Sequence, residues 1–290
     1  MSESQPAWCR YTAAELQAQY SARQAVPEHP EILQRWARQS EAYRRRLAAD
    51  GRLREAIAYG AHPWEKLDLC LPEQARPGPL HVFFHGGYWQ ALDRHHFSFV
   101  AEAPNRAGFA VAVVGYPLCP EVTMERIAGA AAAALAFLRR RALELGVAGD
   151  GMQLAGHSAG GHLVALLAAG AVPARDLEGV SGIAPVSGVF ELEPLVATAI
   201  NRPLNLNRET ARRLSALGAP ARHLRLDAFV GGDESAEFQR QTRALVDRWR
   251  QAGAPAAPHW LAGHNHFTVL DTVYGPDGPM VEAARRLAAG

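Results

Sequence analysis

Residues 156–160 are Gly-His-Ser-Ala-Gly, with a serine between two glycines. This pattern is typical of a tight strand-to-helix turn that exposes a nucleophilic hydroxyl, because larger residues at the glycine positions would collide with the adjacent strand and helix. The apolar run Met152–Ala155 precedes the motif, and the small-residue segment Ala159–Gly170, which predicts a helix, comes after it. The sequence therefore predicts Ser158 as a nucleophile at the N-terminus of a helix.

A second glycine motif, His85-Gly86-Gly87-Tyr88-Trp89, comes directly after the predicted strand Leu80–Phe84. Glycines allow the backbone to approach a reacting oxygen closely, since no Cβ stands in the way. Amide N–H groups preset around that oxygen stabilise the negative charge that it develops. We predict that Gly86, Gly87 and Ala159, the residue after the nucleophile, form an oxyanion hole with their amides.

The acid of such a catalytic set belongs just beyond a later strand, between the serine and the histidine along the chain. Asp233 fits this place, since it follows the predicted strand Leu226–Val230 through two glycines that permit a tight turn. Glu234 is the adjacent competitor, and Asp227 falls inside the strand. The sequence thus favours Asp233 as the group that orients the histidine.

Two histidines near the C-terminus, His264 and His266, are candidates for the base. His266 directly precedes the apolar stretch Phe267–Leu270, which predicts the start of the last helix and would hold His266 over Ser158. We therefore favour His266 over His264. The predicted chemistry is acyl transfer to water, in which His266 takes the Ser158 proton and later returns it to the leaving group.

Alternating strands and helices connect these motifs, and this alternation predicts a mostly parallel sheet with helices on both faces. The predicted strands are Leu67–Leu71, Leu80–Phe84, Phe109–Val114, Met152–Ala155, Val180–Val186, Leu226–Val230 and His259–Ala262. Further helices are predicted at Phe97–Ala107 and Met124–Leu145.

Residues 1–60 differ from the rest and predict a helical extension packed on the core. Its predicted helices are Thr12–Tyr20, Ile32–Leu47 and Leu53–Tyr59. Residues 61–290 are predicted to form the main domain, in which a segment around 191–220 interrupts the strand and helix rhythm. We expect this segment to form a small cap.

The composition suits one compact enzyme and argues against several other classes. The chain has 290 residues, of which 48% are hydrophobic, so it can bury one large core. Its net charge of +1 provides no field that would attract nucleic acid or an acidic membrane. Three widely spaced cysteines argue against a disulfide framework. Neither His95-His96 nor His264-Asn265-His266 has a carboxylate or cysteine at ligand spacing, so no metal and no cofactor are predicted.

The first residues lack the basic-then-apolar pattern of a signal peptide, and no apolar run reaches the length that spans a membrane. We therefore expect a cytoplasmic protein. The expected partner is a small-molecule substrate, with no nucleic acid and no membrane, and the sequence leaves a homodimer open.

Four motifs together resemble the kynurenine formamidase (arylformamidase) branch of the α/β-hydrolases. They are His-Gly-Gly-Tyr-Trp at 85–89, Gly-His-Ser-Ala-Gly-Gly-His at 156–162, Gly-Gly-Asp-Glu-Ser at 231–235 and Asn-His-Phe at 265–267. The branch is close to the hormone-sensitive-lipase-like esterases, whose loop more often has a third glycine where this chain has Tyr88. The resemblance implies an α/β-hydrolase fold and a triad of Ser158, Asp233 and His266. Asn265 stands where members of the branch often have Asp.

The reaction that the resemblance implies is hydrolysis of N-formyl-L-kynurenine to kynurenine and formate. Tyr88 and Trp89 would then line the place of the aromatic leaving group, although aromatic residues beside a hydrolase site are more often plain pocket wall. Arg202 and Arg208 in the predicted cap are candidates for binding the substrate carboxylate. Two alternatives stay open: a carboxylesterase for small short-acyl or aryl esters, and a non-catalytic ligand-binding protein with this fold.

Overall fold

The computed structural model describes residues 7–73, 79–171, 177–217 and 224–288. Its centre is an eight-stranded sheet with the order β1-β2-β4-β3-β5-β6-β7-β8. The strands are β1 Leu53–Ala58, β2 Lys66–Cys70, β3 Leu80–Phe84, β4 Ala110–Val114, β5 Met152–His157, β6 Val180–Val186, β7 Arg225–Gly231 and β8 Ala256–Leu261. Strand β2 runs antiparallel to both of its neighbours, and all other pairs are parallel. The predicted α/β class with a mostly parallel central sheet is confirmed.

Helices cover both faces of this sheet. The α-helices are α1 Ala13–Tyr20, α2 Ala22–Ala25, α3 His29–Ala49, α4 Glu102–Arg106, α5 Met124–Arg141, α6 Ala159–Leu166, α7 Asn201–Leu204, α8 Arg208–Arg213, α9 Ala236–Gln251, α10 Thr268–Val273 and α11 Pro279–Ala288. Successive strand residues point to opposite faces. On β3, Val82 and Phe84 therefore join the apolar core with α5, α6 and α9, whereas Phe83 joins the core with α3, α10 and α11. Within the described ranges, no helix has the length and apolarity needed to cross a membrane.

All seven predicted strands occur, with ends that differ from the prediction by at most three residues. The helix predicted over Leu53–Tyr59 is wrong, because this segment forms β1 and pairs with β2 at the edge of the sheet. The spacing of Leu53 and Ile57 fits one face of a helix or of a strand equally well. Backbone pairing with β2 decides between them, so the sheet begins inside the stretch predicted as a helical extension.

Three predicted helices differ in their ends or type. The segment predicted as Phe97–Ala107 begins as a 3-10 helix over Arg94–Ala101 and continues as α4. Helix α5 ends at Arg141, and α6 gives way to a wider helical turn at Leu167–Ala171. The predicted cap contains a 3-10 helix at Glu193–Ala197 followed by α7 and α8. Its last residues, 218–220, lie outside the described residues.

A buried carboxylate fixes helix α3 to the sheet. Asp68 on β2 is fully buried, and its oxygens lie 2.6 Å from Arg44 of α3 and 3.0 Å from Arg94. Asp68 also accepts a hydrogen bond from the Ala56 amide at 2.8 Å. Burial alone would raise the pKa of Asp68, but the Ala56 hydrogen bond and the two arginines outweigh it, so the pKa lies below its usual value.

Replacing this carboxylate by a neutral amide, in Asp68→Asn, should lower the free energy of unfolding at pH 7 by about 3 kcal/mol. The change leaves the buried Arg94 without a carboxylate among the described residues, and it leaves Arg44 with only the exposed Glu55. The pKa of Asp68 is lower in the folded state than the value of about 3.9 expected in the unfolded chain. Its stabilisation is therefore present at neutral pH and is lost as the pH falls below about 4. Urea denaturation at several pH values should show the gap between wild type and variant narrowing on acidification.

The matched control is Arg45→Ala, which removes the exposed ion pair of Arg45 with Glu41. This change should cost less than about 0.5 kcal/mol. Equal losses in the two variants, or a gap for Asp68→Asn that does not depend on pH, would contradict the anchoring role of Asp68.

Candidate active site

Ser158 occupies a strained turn between β5 and α6. Its backbone has φ 54° and ψ −115°, a conformation that costs a non-glycine residue on the order of 1–3 kcal/mol. A Cβ added at Gly160 would lie 1.9 Å from the carbonyl oxygen of Phe84, and one at Gly156 would lie 2.4 Å from the backbone of Gly160. Helix α6 therefore approaches the sheet so closely that only glycine fits before and after the serine. This packing explains why the motif has glycine at both ends.

A chain of hydrogen bonds starts at the Ser158 hydroxyl. Ser158 Oγ lies 3.0 Å from His266 Nε2, and His266 Nδ1 lies 2.7 Å from Glu234 Oε2. The other carboxylate oxygen, Glu234 Oε1, accepts hydrogen bonds from the Ser187 hydroxyl and from the Gly231 amide. An ionised carboxylate only accepts hydrogen bonds, so Nδ1 carries the imidazole proton. The other nitrogen, Nε2, is then free to accept the serine proton.

The acid in contact with His266 is Glu234 and not the predicted Asp233. Asp233 lies at the tip of the turn after β7, where its side chain is exposed and its amide bonds to the carbonyl of His264 at 3.1 Å. Glu234, one residue further on, is 8% exposed and turned inward. The third acidic candidate, Asp227, pairs with His259 and Arg286. The prediction failed by one residue, because the turn directs adjacent side chains to opposite sides.

Of the two candidate histidines, the structure brings His266 to the serine. The imidazole of His264 instead lies 3.2 Å from Thr272 Oγ1. A third histidine has a role that the sequence did not indicate: His157 Nε2 donates a hydrogen bond to the carbonyl of His266 at 2.8 Å. Burial, helped by the neighbouring His266, lowers the pKa of His157 to about 3, so it stays neutral near pH 7. His157 thus supports His266 from behind.

The glycine loop lies beside Ser158. Gly86 and Gly87 line the same pocket as the serine. A Cβ on Gly86 would lie 3.0 Å from His157, and Gly87 has φ 116° with no room for a Cβ against the carbonyl of Ala91. Within the described residues, no acceptor takes the amide protons of Gly86, Gly87 or Ala159. Three backbone donors are therefore available to a ligand near Ser158.

Ser158 and His266 line a narrow pocket with a cavity volume of about 40 Å³. Its aromatic wall consists of Trp36, Tyr88, Phe97 and Phe267. Tyr88 therefore lies in the pocket beside Ser158, and its contact with a substrate ring stays a prediction. Trp89 is not among the described residues that line the pocket: its side chain is fully buried and packs edge-on against His162, with ring centroids 5.0 Å apart.

The N-terminal helices contribute a wall of this pocket, which the sequence did not reveal. Ala22 and Arg23 of α2 and Leu33 and Trp36 of α3 all line it. The predicted carboxylate-binding residues Arg202 and Arg208 are exposed and are not among the described residues that line the pocket. The extension is therefore part of the site.

Comparisons with known proteins agree with this architecture. The family model BD-FAE matches residues 67–184. Kynurenine formamidase of Danio rerio is 29% identical over 223 residues, which are 74% of this chain and 75% of the relative. Kynurenine formamidase of Drosophila melanogaster is 27% identical over 204 residues, 67% of each chain.

Among solved structures, a protein of Silicibacter sp. TM1040 assigned provisionally as a thioesterase has a TM-score of 0.82 at 31% identity, covering 93% of this chain and 99% of the other. Esterase B of Lactobacillus rhamnosis, at 20% identity, shares the fold with a TM-score of 0.69 and covers 91% of this chain and 96% of its own.

The order of the strands and the connection from β5 through Ser158 into α6 are those of the α/β-hydrolases, and the chain belongs to this family. Within the family it is formamidase-like, because the two kynurenine formamidases match it over two thirds or more of its length.

The hydrogen bonds in the site predict that substitutions of two adjacent acids, Glu234 and Asp233, have very different effects on kcat. Glu234→Gln should lower kcat by about 10³-fold or more, because an amide no longer fixes the His266 tautomer or stabilises its charged form. Asp233→Asn is the matched control, and we expect kcat within about twofold of wild type because this side chain does not contact His266. Steady-state hydrolysis of p-nitrophenyl acetate measures both variants. If kcat fell in Asp233→Asn and stayed at the wild-type value in Glu234→Gln, Asp233 would be the acid instead.

Proposed function

We propose that this chain is a serine hydrolase that cleaves an N-formyl aryl amide, N-formyl-L-kynurenine, to kynurenine and formate through an acyl-enzyme. One observation carries the proposal: the hydrogen-bonded chain Ser158–His266–Glu234 opens into an aromatic-walled pocket. The similarity to kynurenine formamidases supports the choice of substrate.

In the first half of the proposed reaction, Ser158 Oγ attacks the formyl carbon while its proton passes to His266 Nε2. Glu234 stabilises the imidazolium that forms. The carbonyl oxygen becomes an oxyanion, and the free amides of Gly86, Gly87 and Ala159 are the proposed donors to it. Each such donor contributes roughly 2.7–4 kcal/mol of transition-state stabilisation.

The tetrahedral intermediate then collapses with loss of the aniline. The C–N bond breaks, its electron pair stays on nitrogen, and His266 returns the proton there, which leaves a formyl ester on Ser158. Water next attacks this ester with His266 as the base, and formate leaves. The cycle balances with one water consumed and needs no cofactor.

A formanilide has two very unequal ends, and the aromatic wall offers an apolar surface to the larger one. The leaving group is an aromatic ring, and Trp36 lies 5.6 Å from Phe97 and 6.1 Å from Phe267 between ring centroids, so the three rings form a continuous apolar wall. A substrate ring would bury apolar surface there. The formyl group is the smallest acyl group, so the acyl side needs little space.

An esterase is the second candidate, because the same triad cleaves activated esters and the protein shares its fold with esterase B. Substrate preference distinguishes the two candidate activities. A formamidase should hydrolyse the N-formyl anilide faster than an aryl ester of matched size, and an esterase should hydrolyse the aryl ester faster. The cytoplasmic location and the homodimer stay predictions.

The test is steady-state hydrolysis of N-formyl-L-kynurenine and p-nitrophenyl acetate by wild type and Ser158→Ala. We expect kcat/KM for formylkynurenine above about 10⁴ M⁻¹s⁻¹ and a loss of at least about 10³-fold in the variant. Turnover of the ester alone would favour the esterase. If Ser158→Ala equalled wild type on both substrates, the serine mechanism would be overturned, whereas a protein that binds formylkynurenine without turnover would be a non-catalytic binder.

A further inference from the structure

The junction between α1 and α2 accepts hydrogen bonds from two loops on opposite sides of the site. From one side, the hydroxyl of Tyr88, in the glycine loop, donates to the carbonyl of Tyr20 at 2.6 Å. From the other, the hydroxyl of Ser235, next to Glu234, donates to the carbonyl of Gln19 at 2.6 Å. The junction therefore bridges the two loops that carry the proposed oxyanion donors and the acid. Helix α2, which begins at this junction, thus has a fixed position relative to Ser158.

Helix α2 carries Arg23, three residues after Tyr20. Arg23 lines the pocket together with Ser158 and His266, and its side chain is exposed. Among the described residues that line this pocket, Arg23 carries the one permanent charge. Arg35 and Arg44 of the same extension pair with carboxylates, whereas Arg23 has no ion pair with any described residue.

We propose that Arg23 binds the carboxylate of the substrate and selects aryl substrates whose leaving group ends in a carboxylate. This inference rests on the proposed function and names the group of the substrate that the pocket recognises. A guanidinium offers parallel N–H donors in a planar fork that matches a carboxylate, and it stays charged at every relevant pH. Arg23, the aromatic wall and Ser158 line one pocket, so a ligand with an aromatic body and an anionic end can contact all of them.

A second polar group in the wall is also unpaired. His157 Nδ1 is buried and has no hydrogen-bond partner among the described residues, while its Nε2 is used by the His266 carbonyl. A neutral imidazole nitrogen without a proton is an acceptor. Because this nitrogen is enclosed, recognition of the charged end of the substrate rests on Arg23.

The decisive experiment compares two formanilides that differ in one group. N-formyl-L-kynurenine carries the carboxylate, and N-formylkynurenamine lacks it but keeps the amine. The ratio of their kcat/KM values should favour formylkynurenine in the wild type and fall about 10- to 100-fold in Arg23→Ala, the change expected for losing a hydrogen-bonded charge partner. The loss should appear mainly as a higher KM, and Arg23→Lys should restore part of it.

The matched control is Arg202→Ala, which removes an exposed arginine outside the described pocket lining. Its substrate ratio should equal that of the wild type. Labelling of Ser158 by a fluorophosphonate should be equally complete in all variants, so that a misfolded protein is recognised. An unchanged ratio in Arg23→Ala, or an equal fall in Arg202→Ala, would overturn the assignment of Arg23.

The two proposals can fail separately. If formylkynurenine is not hydrolysed, a phenyl acetate with a carboxylate-ended ring substituent is compared with its carboxamide. A preference for the carboxylate ester that disappears in Arg23→Ala would keep the role of Arg23 although the formamidase assignment had failed. Rapid hydrolysis of formylkynurenine with no effect of Arg23→Ala on the substrate ratio would support the formamidase activity and overturn the carboxylate-binding role of Arg23.

Discussion

The site depends on the close approach of α6 to the parallel strands. Gly160 touches the carbonyl of Phe84 at the end of β3, and the Ser158 amide donates to the carbonyl of Val186 at the end of β6 at 2.8 Å. The next residue on that strand end, Ser187, donates its amide to the carbonyl of Phe229 on β7 at 2.8 Å. Four neighbouring strands are therefore tied together where they end. Catalytic groups on separate loops acquire fixed distances because those loops leave from tied positions.

The same ties explain why Glu234 is so firmly placed. The Ser187 hydroxyl and the Gly231 amide both hold the carboxylate oxygen that His266 does not use. Ser235, the next residue, caps helix α9 by accepting the Phe238 amide. Glu234 is thus confined between the end of a strand and the start of a helix. An acid held by three donors needs no reorganisation when the imidazole becomes charged.

Local signals in the sequence were enough to predict seven of the eight strands and the strand-to-helix turn at Ser158. Gly156 is required by its contact with Gly160, four residues further on, and short apolar runs mark the buried strands. The choice between Asp233 and Glu234 was beyond such signals, because it depends on which way a turn directs two adjacent carboxylates. Trp89 illustrates the same limit, since Tyr88 and Trp89 both adopt positive φ and this turn directs the indole inward.

Contacts between distant parts of the chain were also beyond prediction. The sequence predicted α1 and α3 as helices of an extension packed on the core, but it could not show what they pack against. Arg23 and Trp36 reach Ser158 only through the tertiary structure. Strand β1 could not be predicted for the same reason, because its pairing with β2 decides its conformation.

The extension touches each part of the proposed machinery. Tyr20 accepts from the glycine loop, Gln19 accepts from the residue after the acid, and Trp36 Nε1 donates to Asp271 of α10 at 2.6 Å, on the helix that comes after His266. Trp36 also meets His157 edge-on at 6.0 Å between ring centroids. A wall tied to the oxyanion loop, the acid and the base cannot move without moving them. The substrate selection that we propose for the extension would therefore be coupled to the placement of the catalytic groups.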